Sequence, residues 1–391
     1  MKRKMFIVAS FVLILALLTI SSVFAQSAAG QSWKTAITYY TPSDTGGNLQ
    51  VAFYAEGSAT PVLANPISLA PHQAGTLLVS NVSGLPAGFS GSAVMNADVP
   101  IVAVDVQIAG NASEYARPLY SGFAPEDADT TAYISTFLYQ KFNNSTTMGI
   151  QNVETNQITV QVKAYEVGQT TPTYDQAQVI EPQSTVILNG ADMGLPAGFN
   201  GSVVVDGTGG SGGRIVASAY EAEISGRAAK AFEGVSGGSS TVYMASMLCN
   251  AFSDGQISFF AIQNASLSQA ASVTATFYNT SGTQVGSMPA TNIGAGSKIS
   301  VNPCNEGVPS GTSGSAVFES TGAPIIGVGK VNSQTGFVTA FVGEAAGSTK
   351  SAASYIRWPA NLSAEFRANI AVMNVGGSTA NNVQVKYYDA T

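Results

Sequence analysis

The stretch GLPAGFSGSAVMNADVPIVAVDV, residues 84–106, returns as GLPAGFNGSVVVDGTGGSGGRIVASAY from Gly194 and as GVPSGTSGSAVFESTGAPIIGVGKV from Gly307. The starts lie 110 and 113 residues apart. A second landmark keeps the same step: Asn152, Asn264 and Asn374, in IQNVET, IQNASL and VMNVGG, are spaced 112 and 110 residues apart. Two landmarks at one period mark a tandem repeat of whole domains. About 110 residues is far longer than a solenoid repeat and close to a β-sandwich.

Around each landmark the chain reads as short strands and turns. Leu49, Val51 and Phe53 alternate with Gln50, Ala52 and Tyr54, the period-2 pattern of a half-buried strand. QITVQVKAYEVG, ASVTATFYNTSG and NNVQVKYYDA repeat it, with Tyr54, Tyr165, Tyr278 and Tyr388 at matching places. In GLPAGF the proline fixes φ and the glycines supply conformations that other residues avoid, so the motif is a shaped loop between strands. It is a poor phosphate cradle, because no helix follows and no Lys-Ser/Thr pair stands ready. No stretch carries a helical period.

The expected architecture is therefore all-β: tandem Ig-like β-sandwich repeats of about 110 residues. The expected division is 26–139, 140–248 and 249–358, with 359–391 an incomplete fourth repeat. Strands 133–139, 243–248 and 355–358 could close one unit or open the next. The fourth repeat supplies two strands, ANIAVMN and NNVQVKYYDA, and a pair of strands alone is marginal in water. Pairing with an open edge on its own chain or a neighbour is the sharper alternative to a truncated unit.

VMNVGGSTANNVQVKYYDA, and AIQNASLSQAASVTATFYNTSGTQV followed by IGAGSKISV, resemble the Ig-like domains of bacterial surface proteins of the CARDB-like, cell-adhesion-related kind. The resemblance covers about the first half of each unit; the first repeat departs from it with Pro42, and GLPAGF-x-GS lies outside it. It implies an Ig-like sandwich and a surface role, and brings no functional residues with it.

Residues 1–25 form the expected signal peptide: Lys2, Arg3 and Lys4, then an apolar run to Phe24 and a small residue at Ala25. The alternative is an uncleaved anchor, since the run is nearly long enough to span a bilayer. Cleavage before Gln26 leaves 13 basic against 23 acidic residues, a net charge of −10. A diffuse acidic balance argues against nucleic acid, which needs a basic patch. The expected location is extracellular or cell-surface, with membrane contact only through an uncleaved signal segment. Cys249 and Cys304 are the only cysteines, and in an exported chain they are expected to form a disulfide.

Catalytic chemistry finds little to work with. The one histidine, His72, lies in a turn, and a serine or cysteine nucleophile needs a base held by a third group. Glu221 and Glu223 alternate on a strand and Glu319 stands alone, so no carboxylate pair suggests glycoside hydrolysis. Glu126, Asp127 and Asp129 form a weak Ca²⁺ candidate without EF-hand spacing; a solvated hinge is the plainer reading. Trp33 and Trp358 occupy non-equivalent positions, so they make no repeated sugar platform. Sequons begin at Asn81, Asn111, Asn143, Asn144, Asn264, Asn279 and Asn361. The expectation is a non-enzymatic structural or adhesion protein with no cofactor, a rod of modules meeting matrix, cell-wall or surface components. The alternative is a carbohydrate-binding module array, the non-catalytic part of a larger hydrolase, with glycans as partners.

Overall fold

The structure is a computed structural model that describes residues 33–109, 116–224, 228–356 and 368–387. Its strands fall into three sandwiches. The first holds β1 (Trp33–Tyr40), β2 (Gly47–Ala55), β3 (Pro61–Leu63), β4 (Ile67–Leu69), β5 (Ala74–Leu78), β6 (Gly91–Ala97), β7 (Val102–Ala109) and β8 (Leu119–Ser121). The second holds β9 (Thr131–Tyr139), β10 (Asn144–Asn152), β11 (Ile158–Glu166), β12 (Tyr174–Ile180), β13 (Thr185–Asn189), β14 (Phe199–Asp206), β15 (Ile215–Glu223) and β16 (Ala229–Glu233). The third holds β17 (Thr241–Cys249), β18 (Ile257–Asn264), β19 (Ala271–Asn279), β20 (Gln284–Ile293), β21 (Lys298–Val301), β22 (Thr312–Gly322), β23 (Ile325–Asn332) and β24 (Val338–Val342).

All six sheets are antiparallel. The second sandwich pairs β13-β10-β15-β16 and β12-β11-β14-β9, and the third repeats this as β21-β18-β23-β24 and β20-β19-β22-β17. The layering is that of an immunoglobulin domain but the strand order differs: there the first strand pairs with the second, whereas β9 pairs with β14. That pairing assigns two of the three strands whose unit the sequence left open; of 355–358, residues 355 and 356 carry no strand and 357–358 lie outside the described residues. β9 joins the second sandwich and β17 the third, one strand out of step with the division at residues 139 and 248. In the first sandwich β6 pairs only with β2, and no β9 counterpart lies on its other edge among the described residues.

Alternation is plain in β11, where Ile158, Val160, Val162 and Ala164 are buried and Thr159, Gln161 and Lys163 lie on the other face. Each such Val or Ile, fully buried, contributes about 1.5–3 kcal/mol. Phe137, Phe199 and Phe232 fill the second core. In the third, Phe318 meets Phe260 and Phe277 edge-on, with ring centroids 5.4 and 6.3 Å apart.

The landmark loop owes its glycines to geometry. Gly84 and Gly88 have φ of 90° and 78°, Gly194 and Gly198 of 60° and 89°, Gly307 and Gly311 of 84° and 86°. Three residues on, Gly91, Gly201 and Gly314 serve another purpose: a Cβ would strike the carbonyl oxygens of Tyr54, Tyr165 and Tyr278 on the adjacent strand. The motif is thus a turn followed by a close backbone approach, kept in all three sandwiches. Gly201→Ala is expected to destabilise the second sandwich by about 1–3 kcal/mol through overpacking. Gly210→Ala, where a Cβ meets open space, should change stability by no more than about 0.5 kcal/mol. Denaturant melts of the two variants compare them directly.

The tail departs from expectation. Residues 368–387 carry no strand, although ANIAVMN and part of NNVQVKYYDA lie there. Ile370, Val372, Val383, Val385 and Tyr387 are each at least half exposed. With no sheet to bury one face, two strands do not hold together. The turn between them does survive: Asn374 Nδ2 donates to Ser378 O at 2.7 Å and its Oδ1 accepts from Gly376 N at 3.0 Å. Asn152 and Asn264 clamp the β10–β11 and β18–β19 turns in the same way.

Candidate functional site

The best-defined polar chemistry lies where one sandwich meets the next. It starts from the turn ahead of β13 and β21, where Gln183 and Gly296 take φ of 59° and 69°. This conformation turns their carbonyls outward to the preceding sandwich. Ser92 Oγ, on β6, donates to Gln183 O at 2.9 Å; Ser202 Oγ, on β14, donates to Gly296 O at 2.8 Å. The residues that follow reciprocate. Ser184 Oγ donates to Ala55 O at 2.9 Å and Ser297 Oγ to Glu166 O at 3.5 Å. Ser92 and Ser202 stand opposite Tyr54 and Tyr165 in register, so both junctions are one interface used twice.

Apolar contacts complete each junction differently. At the first, Trp33 meets Tyr220 with centroids 5.8 Å apart, among Ala109, Ala116, Ala222 and Ala229. Glu233 Oε1 accepts from Ser121 N there. At the second, Tyr133, Tyr165 and Val204 close on Ala265 and Ile326. Val328, Ala340 and Val342 of the third sandwich enter the second sandwich's own core. The second junction therefore shares a core rather than merely touching.

An ionic cluster lies beside that shared core. Glu221 Oε1 accepts from Lys230 Nζ at 3.1 Å and its Oε2 from Lys330 Nζ at 2.8 Å. Lys330 also donates to Thr136 Oγ1 at 3.0 Å. Lys330 sits on β23 and Glu221 on β15, so the pair crosses the junction. Burial opposes the Glu221 charge, but Lys330 and Lys230 outweigh it and hold the carboxyl down at about 2. Lys298 Nζ, donating to Ser300 Oγ at 3.2 Å, is pulled down to about 7 by burial, with Lys330 adding to the effect and Glu221 opposing it.

The sign of the pH dependence follows. Between about pH 7 and 10.4 the unfolded chain holds the Lys298 proton and the folded chain has lost it, so stability rises as pH climbs through that window. Glu221 stays ionised throughout that window; its stabilisation is lost only as pH falls from the ordinary carboxylate range toward 2. Thermal melts at pH 7 and pH 9 should show the second and third sandwiches gaining stability. Lys298→Met should flatten that gain, and an unchanged slope would count against the assignment.

Most residues singled out from sequence lie apart from this interface. Cys249 and Cys304 form a disulfide joining the end of β17 to the turn before Gly307, with Cα atoms 5.3 Å apart. Asp127 Oδ2 accepts from Ala124 N and Asp129 Oδ1 from Thr130 N, each at 2.6 Å. Glu126 is exposed beside them, and among the described residues no three His, Cys, Asp or Glu gather as a metal site. His72 Nε2 lies 2.9 Å from Asp44 Oδ1 and Nδ1 3.4 Å from Tyr40 OH. Asn264 is fully buried with its amide committed to the turn, so its sequon takes no glycan in the folded protein. Trp358, Asn111 and Asn361 lie outside the described residues. Glu223 ends β15, and Glu319 borders an open depression on the third sandwich with Thr241, Ser272, Thr274, Ser320 and Thr321.

Sequence reasoning missed the interface residues. Ser92, Ser202, Ser184 and Ser297 look like any strand or turn serine, and Lys230, Lys298 and Lys330 like surface lysines. The one usable signal was the shared G-S step after each landmark loop. No family model matches the chain. No curated protein matches it either.

Proposed function

We propose that this protein is an exported structural or adhesion protein of the cell surface or extracellular space, a rod of sandwich modules that presents a binding face to matrix, cell-wall or surface components. The observation that supports this best is the reuse of one Ser-to-carbonyl interface at both junctions, reinforced at the second by Glu221 and Lys330. Buried Ser202 and Glu221 are committed to fixing one module against the next, which is what a spacer or display scaffold requires. The adhesion-domain resemblance in the first half of each repeat supports the same reading.

A binding panel tests it. Purified residues 26–391 are expected to retain matrix or cell-wall material in a pull-down and to show no hydrolase or transferase turnover. A turnover abolished by His72→Ala would sink the non-enzymatic reading. The carbohydrate-binding array is the second reading, favoured by the hydroxyl-lined depression beside Glu319. A glycan array separates the two: sugar binding lost in Glu319→Gln would move the assignment to that class.

A further inference from the structure

We infer that the third sandwich carries a docking face for the first sandwich of a second copy of this chain, built from positions equivalent to those of the two junctions within the chain, with Gln73 where the junctions place Ser184 and Ser297. On the second sandwich, Tyr133, Tyr165, Ser202 and Val204 are all buried, at 5%, 5%, 0% and 0% exposure, because the third sandwich covers them. Their register equivalents on the third are Tyr243, Tyr278, Ser315 and Val317: Tyr278 stands opposite Ser315 as Tyr165 stands opposite Ser202, and Thr276 opposite Val317 as Lys163 opposite Val204. Tyr243 N bonds Glu344 O just as Tyr133 N bonds Val235 O. These four residues are only half-buried. The donor side of the interface is therefore complete and, among the described residues, met by no further sandwich.

The first sandwich carries the matching acceptor side. Gln73 O receives Thr41 N at 3.0 Å, as Ser184 O receives Asn152 N at 3.0 Å and Ser297 O receives Asn264 N at 2.9 Å. The residue before each is the one whose carbonyl takes the serine hydroxyl at a junction. In the first sandwich that residue is His72, with φ of 56° against 59° at Gln183 and 69° at Gly296. A non-glycine residue held in the left-handed region is uncommon, and His72 and Gln183 share it at this position, where the third sandwich has Gly296. Outward from this turn, Tyr40 pairs Val102 as Gln263 pairs Ile326, which places Val104 where Val328 enters the neighbouring core. The face is apolar: Ala36, Val104 and Val106 are buried on it under Tyr355 of the same chain's tail. The face that a preceding sandwich covers at the two junctions is thus covered in the first sandwich by a short segment.

For residues 26–391 the occupant is a second copy, because donor and acceptor sides are the two halves of one interface already used twice. Such head-to-tail contact is heterologous, and where the rotation does not close it propagates into open chains. Tyr355 competes with it for the first sandwich. The inference does not depend on any foreign partner: a failed matrix or glycan assay would leave it standing, and loss of self-association would leave those assays standing.

Sedimentation velocity of residues 26–391 across a concentration series tests it. The weight-average mass is expected to rise more than about twofold over the monomer, as an unclosed interface requires. Val317→Glu should stay at monomer mass at every concentration, and Tyr278→Ser does the same duty if the first variant melts early. Tyr355→Ala should move the rise to lower concentration. A wild-type chain that remains monomeric throughout, a Val317→Glu and Tyr278→Ser pair that associates like wild type, or a Tyr355→Ala chain that associates less would each overturn the inference.

Discussion

Replacing Glu221 by alanine is expected to destabilise the joined second and third sandwiches by about 3–5 kcal/mol, the range seen when one partner of a buried ion pair is removed. The size comes from what is left behind. Lys230 and Lys330 both end on this carboxylate, at 3.1 and 2.8 Å, with side chains only 4% and 12% exposed. Lys298, itself buried, loses the only nearby anion that favours its charge. Glu221→Gln keeps the shape and one acceptor but not the charge, so it should fall between wild type and alanine. Removing Glu221, Lys230 and Lys330 together for apolar residues of similar volume should cost far less than alanine alone, since burying a charge pair is close to neutral overall. Equilibrium denaturation of the four proteins gives the ordering, and a triple variant weaker than Glu221→Ala would refute the account.

Cys249→Ser with Cys304→Ser should remove up to about 4 kcal/mol from the third sandwich on the loop-entropy model. The bridge spans 55 residues and ties the end of β17 to the turn before the landmark loop. Cys249 is 1% exposed, so a serine hydroxyl there is also buried. The third sandwich shares a core with the second, so limited proteolysis should find new cleavage within the joined pair, residues 131–342, and none in the first sandwich. Cleavage spread evenly along the chain would contradict a local role.

The all-β class and the repeat were open to reading because their causes are local. Alternation in 158–164 reflects one buried face, and the glycines of 84–88, 194–198 and 307–311 reflect backbone conformations few other residues adopt. Asn152, Asn264 and Asn374 were visible as markers, while their task, clamping a turn through side-chain bonds, needed coordinates. The unit to which β9 belongs could not be read, since seven of its nine residues are buried and such a strand shows no alternation to assign a face. The interface was hidden for a different reason. Lysines are almost always at the surface, and only the approach of two sandwiches makes Lys230, Lys298 and Lys330 interior. His72 drew attention as a possible base; its left-handed backbone turned out to be the more informative property.

The entry of Val328, Ala340 and Val342 into the core of the sandwich before them has a mechanical consequence. In a string of independent beads, tension peels each bead open at its own force. Here, extracting β23 and β24 uncovers the apolar interior of the preceding bead and strands Lys330 away from Glu221 in the same motion. The second and third sandwiches therefore yield to a pull as one cooperative block, with nearest-neighbour coupling setting the threshold. The first, joined through Trp33 and Tyr220 among four alanines, Glu233 on Ser121 N and two serine hydroxyls but without a shared core, gives way separately and sooner, so the chain has a built-in compliant end and a stiff one.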